Sequence, residues 1–191
     1  DFRRDLLQGR ELAKMTVGII GFGNVGKLVA ERLDPFGCRI LAFDNKKNII
    51  ENNLKRFRNA YLADSLETLF KSSDIVTLHA TANQQSLGMI NRDLLSNAKK
   101  GLILINTARG ILLNNEDILL AIEEGIIEEA FIDTLYPEPS YCESPESNSY
   151  KHQFLNHPKI TIFPHMAAST EDAQKRISIN LAQQIISFLS K

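Results

Sequence analysis

Three residues far apart in the chain share one local setting. Arg109 comes at the end of the apolar run that begins at Leu102, Glu138 lies five residues beyond the run ending at Asp133, and His165 follows Ile160–Phe163. An arginine presents a planar fork of N–H donors that fits a carboxylate or a keto oxygen. A histidine takes up and returns a proton near neutral pH. A glutamate on the second ring nitrogen orients the imidazole and favours its charged form. Together these types suit proton removal from a hydroxyl while a hydride leaves the same carbon, with a nicotinamide supplying the redox chemistry. Singly, an arginine after a strand is usually a surface residue, and a histidine after a proline is usually part of a loop. Their joint placement after successive apolar runs is what points to a site.

A second constellation lies upstream. Gly21-Phe22-Gly23-Asn24-Val25-Gly26 matches GxGxxG directly after the apolar run Val17–Ile20 and at the start of a helical pattern. That context is what a dinucleotide site requires. Gly21 permits the tight turn, Gly23 lets the backbone approach a pyrophosphate, and Gly26 lets the helix lie close to the strand. The helix N-terminus then favours the phosphates. Asp44 closes the next apolar run. A carboxylate there accepts hydrogen bonds from the ribose hydroxyls and repels a 2′-phosphate, so NAD is expected over NADP. Asn45, Lys46 and Lys47 follow at once and bring cations that work against that preference. A Rossmann-like methyltransferase or another dinucleotide enzyme would share the glycine pattern but would not account for the residues downstream.

The elements that must position these residues can be read from the apolar runs. Thr16–Ile20, Arg39–Asp44, Asp74–His79, Leu102–Thr107, Ile127–Asp133 and Ile160–Phe163 are rich in Val, Ile and Leu with little alternation. That pattern predicts parallel strands covered on both faces. Between them the spacing predicts helices over Asn24–Leu33, Ser65–Ser72, Asn115–Glu124 and about Thr170–Ser190, the last with Ile177, Leu181, Ile185 and Phe188 on one stripe. Asn114 or Asn115 can cap the third and Gly125 can end it. Strand–helix alternation of this kind predicts an α/β doubly wound parallel sheet, whose ligands bind beyond the carboxyl ends of the strands. The stretch Tyr136–Pro158 breaks the rhythm, with four prolines and many polar residues. Such a loop is either functional or a surface excursion. His152 and His157 within it lack the neighbours of a metal site, and no metal is expected.

Composition excludes several classes. With 191 residues, 43% hydrophobic and 24% charged, the chain is long enough for one well-buried domain and ordinary for a soluble protein. A net charge of −1 draws it neither to nucleic acid nor to an anionic membrane. No apolar run approaches the roughly 20 residues of a membrane span. Cys38 and Cys142 make no metal-type spacing, and the N-terminal residues do not lead into a signal-peptide core. A cytoplasmic setting is the resulting expectation. The lack of an initiating Met suggests a fragment, a processed chain or a trimmed one.

Several motifs resemble those of the D-isomer-specific 2-hydroxyacid dehydrogenases. They are Asp74-Ile-Val-Thr-Leu-His79, Gly88-Met-Ile-Asn91, Ile105-Asn-Thr-Ala-Arg-Gly110, Phe131-Ile-Asp-Thr-Leu-Tyr-Pro-Glu-Pro139 and Phe163-Pro-His-Met-Ala-Ala-Ser-Thr170. The resemblance covers nearly the whole chain in the same order. It implies an NAD(P)-binding Rossmann fold, with Arg109, Glu138 and His165 as the catalytic three. It implies that Gly21, Gly23, Asn24, Val25, Gly26 and Asp44 hold the adenosine half of NAD. His79, Thr107, Ala108, Arg109, Asp133, His165 and Ala167 would line the rest of the cofactor site, Asp133 at the carboxamide. Three departures stand out. Tyr136 occupies a position that is often acidic, no proline follows His79, and the stretch from Asp133 to His165 is several residues longer than usual.

The resemblance also implies an organisation. Residues 1–14 would form an interdomain connecting helix, 15–175 the NAD-binding domain, and 176–191 a helix leading back towards a substrate domain that is mostly absent. A chain so built would bind NAD but turn over substrate poorly by itself. Ala168-Ser169-Thr170-Glu171-Asp172-Ala173-Gln174 resembles the 3-phosphoglycerate dehydrogenase branch. Helix capping by Ser169 accounts for the same residues. Glyoxylate or hydroxypyruvate reductases and D-lactate dehydrogenases are the rival branches. An NADH-responsive binding module without turnover and a purely structural paralogue are the non-enzymatic alternatives. The expected partners are a small 2-hydroxy or 2-keto acid and, by resemblance, a second copy joined through the cofactor domain.

Overall fold

The computed structural model describes residues 9–139 and 149–190. In chain order the elements are β1 (Thr16–Ile20), α1 (Asn24–Leu33), β2 (Arg39–Phe43), α2 (Lys47–Leu54), β3 (Ala60–Leu62), α3 (Leu66–Ser72), β4 (Ile75–Leu78), α4 (Arg92–Leu95), β5 (Leu102–Asn106), α5 (Asn115–Glu123), β6 (Ile127–Ile132), β7 (Ile160–Ile162) and α6 (Glu171–Leu189). Among the described residues, seven strands form one sheet in the order β3-β2-β1-β4-β5-β6-β7, and every pairing between them is parallel. The chain therefore runs outward from β1 to β3, returns to β4 beside β1, and continues outward the other way. The reversal lies between β1 and β4, where an open parallel sheet has its ligand crevice.

Alternation along the strands builds two cores. Val17 and Ile19 of β1 join Ile40 and Ala42 of β2, with Ala30 of α1 and Ile50 and Leu54 of α2. Ile20 and Leu41 point the other way, into a larger core with Leu69, Phe70, Leu78, Leu104, Ile118 and Ile132. Successive strand residues face opposite sides, so apolar residues at every position bury both faces.

The six expected strands are all present; β1 keeps its expected bounds and the other five are trimmed to the residues that pair. Asp44, Asp74, His79, Thr107, Asp133 and Phe163 stand just outside them. β3 lies at the sheet edge and only three residues pair, too few to produce a period in the sequence. α2 and α4 were likewise not expected. α4 is a single turn capped by Asn91, whose side chain accepts from Leu94 N at 3.0 Å. α5 is capped by Asn114, accepting from Asp117 N at 3.3 Å. α6 is capped by Thr170, accepting from Ala173 N at 3.2 Å, and not by Ser169 as expected. Of the expected helix over residues 1–14, residues 1–8 lie outside the described residues, and the remainder holds only a 3₁₀ turn at Leu12–Lys14. Cys142 also lies outside the described residues.

Candidate active site

The glycine loop leaves β1 at the sheet reversal. Gly21 adopts φ +89°, and its N–H donates to Phe43 O at 2.8 Å. A Cβ there would lie 2.6 Å from Ala80 N, so both the turn and its approach to the β4 exit require glycine. Gly26 is equally confined: a Cβ would come 2.1 Å from Gly21 O. Gly23 differs. It is the N-cap of α1, no side chain caps that end, and a Cβ there would meet nothing within 4 Å. The first N–H groups of α1 thus face open space beside an exposed Asn24 and Val25.

Asp44 is tied into this loop. Its Oδ2 accepts from Phe22 N at 2.9 Å and its Oδ1 from Lys46 N at 3.0 Å, which fixes the carboxylate next to the glycines. A cavity of about 430 Å³ is lined by Gly21, Gly23, Asp44, Lys46, His79 and Thr81 among others. A second, of about 420 Å³, is lined by Val25, His79, Thr81, Thr107, Ala108 and Arg109. The two share His79, Ala80 and Thr81, so they form one trough across the ends of β2, β1, β4 and β5. His79 shares a 3.0 Å hydrogen bond with Thr77 Oγ1. Burial pushes its pKa down to about 4, so the ring is neutral at neutral pH.

Arg109 sits in the turn after β5. Asn106, fully buried at the strand end, accepts from Ala108 N at 3.0 Å and donates to Arg109 O at 2.9 Å. The guanidinium Nη1 donates to Ala108 O at 2.6 Å. Gly110 then passes so close to the next strand exit that a Cβ would lie 2.3 Å from Leu135 C. This contact presses the Arg109 turn against the segment leading to Glu138.

Asp133 is 4% exposed and organises the turn after β7. Its backbone carbonyl accepts from His165 N at 2.9 Å, its Oδ1 from Met166 N at 2.9 Å and its Oδ2 from Ala167 N at 3.1 Å. These three bonds hold His165 at φ +51°, an uncommon conformation for a residue with a side chain. In that position His165 Nδ1 lies 3.0 Å from Glu138 Oε1, with the side chains 35% and 32% exposed. The Nδ1 proton therefore faces a carboxylate, which leaves Nε2 as the ring's second proton position.

The comparisons with known proteins cover the same span. The family described as D-isomer specific 2-hydroxyacid dehydrogenase, NAD binding domain, matches residues 1–167. The chain belongs to this family. It is 33% identical over 184 residues to a hydroxypyruvate reductase of Thermotoga maritima, covering 96% of this chain and 56% of that protein. It is 35% identical over 176 residues to a D-specific alpha-keto acid dehydrogenase of Enterococcus faecalis, covering 90% and 51%. Among solved structures, a D-isomer specific 2-hydroxyacid dehydrogenase from Lactobacillus delbrueckii ssp. bulgaricus, in its NAD complexed form, superposes with a TM-score of 0.84 at 30% identity, covering 97% of this chain and 56% of that one. The chain thus spans about half the length of the relatives it matches.

The residues present fit the family's cofactor. The open space at Gly23, the α1 N-terminus without a side-chain cap and the fixed Asp44 carboxylate have the chemistry that a pyrophosphate and a ribose would require. Of the residues expected to line the cofactor site, His79, Thr107, Ala108 and Arg109 border the trough with the glycines and Asp44. Asp133, His165 and Ala167 are joined to one another by the bonds just described. Asp133, expected at the carboxamide, has both carboxylate oxygens engaged by backbone N–H groups. Leu66, Ser86 and Met89 also line the trough and were not anticipated. Neither was Asn106, although a polar residue closing an apolar run was its visible signal. Among the described residues, no group of three or more His, Cys, Asp or Glu could hold a metal, and no helix is long and apolar enough to cross a membrane. At the segment expected to hint at the branch, Thr170 caps the start of α6.

Proposed function

We propose that this chain is the cofactor-binding and proton-transferring part of an enzyme that interconverts a small D-2-hydroxy acid and its 2-keto acid with NAD. The observation that carries this reading is the 3.0 Å His165–Glu138 pair on the same strand-end rim as the glycine cradle. Bound NAD supplies the hydride chemistry at the substrate's second carbon. The protein's own residues do the rest. With Nδ1–H held by Glu138, His165 Nε2 takes the hydroxyl proton during oxidation and returns it to the keto oxygen during reduction. The Glu138 carboxylate keeps the ring oriented and offsets the positive charge it gains. Arg109 has one nitrogen anchored on Ala108 O, and the remaining N–H groups of its fork receive the substrate carboxylate. Gly21, Gly23 and the start of α1 hold the pyrophosphate. Asp44 takes the adenosine ribose and favours NAD over NADP.

An NADH-responsive module without turnover has no use for an intact acid–base pair. The two readings are separated by NADH oxidation against glyoxylate, hydroxypyruvate, pyruvate and 3-phosphohydroxypyruvate. The assay takes this chain and the longest form in which the protein is made. NADH binding by this chain is expected, with oxidation in the longest form that falls at least 100-fold in His165→Ala while NADH affinity is kept. Binding with no oxidation of any of the four would establish the module instead. The resemblance also supports a homodimer formed through this domain. A light-scattering mass of two chains is the expected result, and a single-chain mass at high concentration would count against it.

A further inference from the structure

Among the described residues, the turn that carries Glu138 belongs to no strand or helix, yet two carbonyls just before the glutamate are gripped by side chains. Tyr136 O lies 3.2 Å from Asn115 Nδ2, at the start of α5, and 3.2 Å from His152 Nε2. Pro137 O accepts from Tyr150 OH at 2.5 Å. Tyr150 and His152 belong to the segment returning towards β7, within the long stretch whose role the sequence left open.

The hydrogen bonds settle the state of the His152 ring. Phe154 N donates to His152 Nδ1 at 3.1 Å, so Nδ1 must present a lone pair. The ring proton is then on Nε2, which donates to Tyr136 O. Asn115 Nδ2 is 3.2 Å from His152 Nε2, but both are donors aimed at one carbonyl, so that short distance is a shared target and not a bond between them. Packing holds the ring in place. Tyr150 stacks on it with centroids 6.2 Å apart and planes at 19°, and Phe154 meets it edge-on at 4.9 Å and 67°. Burial lowers the His152 pKa despite the Tyr136 carbonyl, in keeping with a neutral ring.

We propose that His152, with Asn115 and Tyr150, is a positioning residue for Glu138: it holds the Tyr136–Pro137 backbone so that the carboxylate meets His165 Nδ1. This rests on the reading of Glu138 and His165 as the acid–base pair. The three side chains fix the two peptide carbonyls nearest the glutamate on its N-terminal side. A carboxylate on an otherwise irregular turn needs such support, because small displacements of a supporting shell are costly to proton transfer.

The test uses ring-nitrogen NMR of the whole chain, which has four histidines. The wild-type His152 is expected as the Nε2–H tautomer. Glu138→Gln should move the His165 ring-nitrogen resonances. His152→Asn, whose amide reaches only the Nδ1 position, should move them the same way by at least half as much. His152→Gln, which keeps a donor near the Nε2 position, should move them by less than a quarter. NADH affinity should stay within twofold in both His152 variants. Unchanged His165 resonances in His152→Asn, alongside a clear effect of Glu138→Gln, would overturn the proposal. So would an Nδ1–H tautomer in the wild type, which reads independently of how any variant folds. If Glu138→Gln itself moves nothing, the acid–base pair has failed, and the positioning role falls with it for that separate, recognisable reason.

Discussion

At the scale of single residues, the glycine loop separates folding from binding. Gly26 is needed by the fold, since its Cβ would overlap the Gly21 carbonyl. Gly23 has φ −74° and open space around it, so alanine fits there sterically. Gly23→Ala should therefore cost less than about 1 kcal/mol of stability, the difference between Gly and Ala as an N-cap. It should weaken NADH binding at least tenfold by placing a methyl in the proposed pyrophosphate site, as fluorescence titration would read. An unchanged affinity would remove the phosphate from this loop. His79 sets a pH dependence. Its folded pKa of about 4 lies below the ordinary value of 6.5, so the unfolded chain binds more protons between those two pH values. Stability should then fall as pH drops from about 6.5 to about 4, by up to about 3 kcal/mol from this residue. Denaturant midpoints measured across that range should fall less steeply for His79→Gln. An identical slope would mean that the buried ring is not the cause. Much of this scale was legible in the sequence, because residue types limit chemistry. The bond between Asp133 and the His165 turn was not, because it joins residues 33 apart by a backbone reversal that no local pattern encodes.

At the scale of elements, α6 stands apart. Every residue from Glu171 to Ser190 except Ala173 is exposed, including Ile177, Leu181, Ile185 and Phe188 on the apolar stripe. Helices of this kind owe most of their stability to packing of the apolar face. The amides of α6 should therefore exchange with deuterium far faster than those of β1, β4 and β5, whose residues are all buried or half-buried. Equal protection in hydrogen-exchange mass spectrometry would mean that the stripe is covered. The long apolar runs and well-capped helices were readable because period and caps are local signals. Asn114 and α5 are one example. β3 and α4 were not readable. Three paired residues and one turn have too little sequence to show a period, and their existence depends on neighbours supplied by β2 and by α3 and α5.

At the scale of the whole molecule, the trough lies where the sheet order reverses, between β1 and β4. Its walls are the exits of strands that diverge from that point. A dinucleotide lying across those exits ties both halves of the sheet together and binds only the folded state. NADH at a hundred times its Kd should add about 2.7 kcal/mol to stability. For a domain of this size that corresponds to a rise of roughly 5–10 °C in Tm, with a smaller rise for NADPH at equal concentration because Asp44 opposes a 2′-phosphate. No rise with either nucleotide would contradict a cofactor site in the trough. The sequence by itself determined the fold class, the glycine turn after β1 and the placing of Arg109, Glu138 and His165 after successive strands, because periodicity, turn-forming residues and residue order are properties of short segments. Only the tertiary structure decided that Glu138 and His165 meet at 3.0 Å, that Asp133 holds the histidine's turn, and that Asn115, Tyr150 and His152 converge on the two carbonyls before the glutamate. Those distances depend on how neighbouring strands are paired in register and on where the intervening chain folds back, and both are set by the packing of the whole sheet.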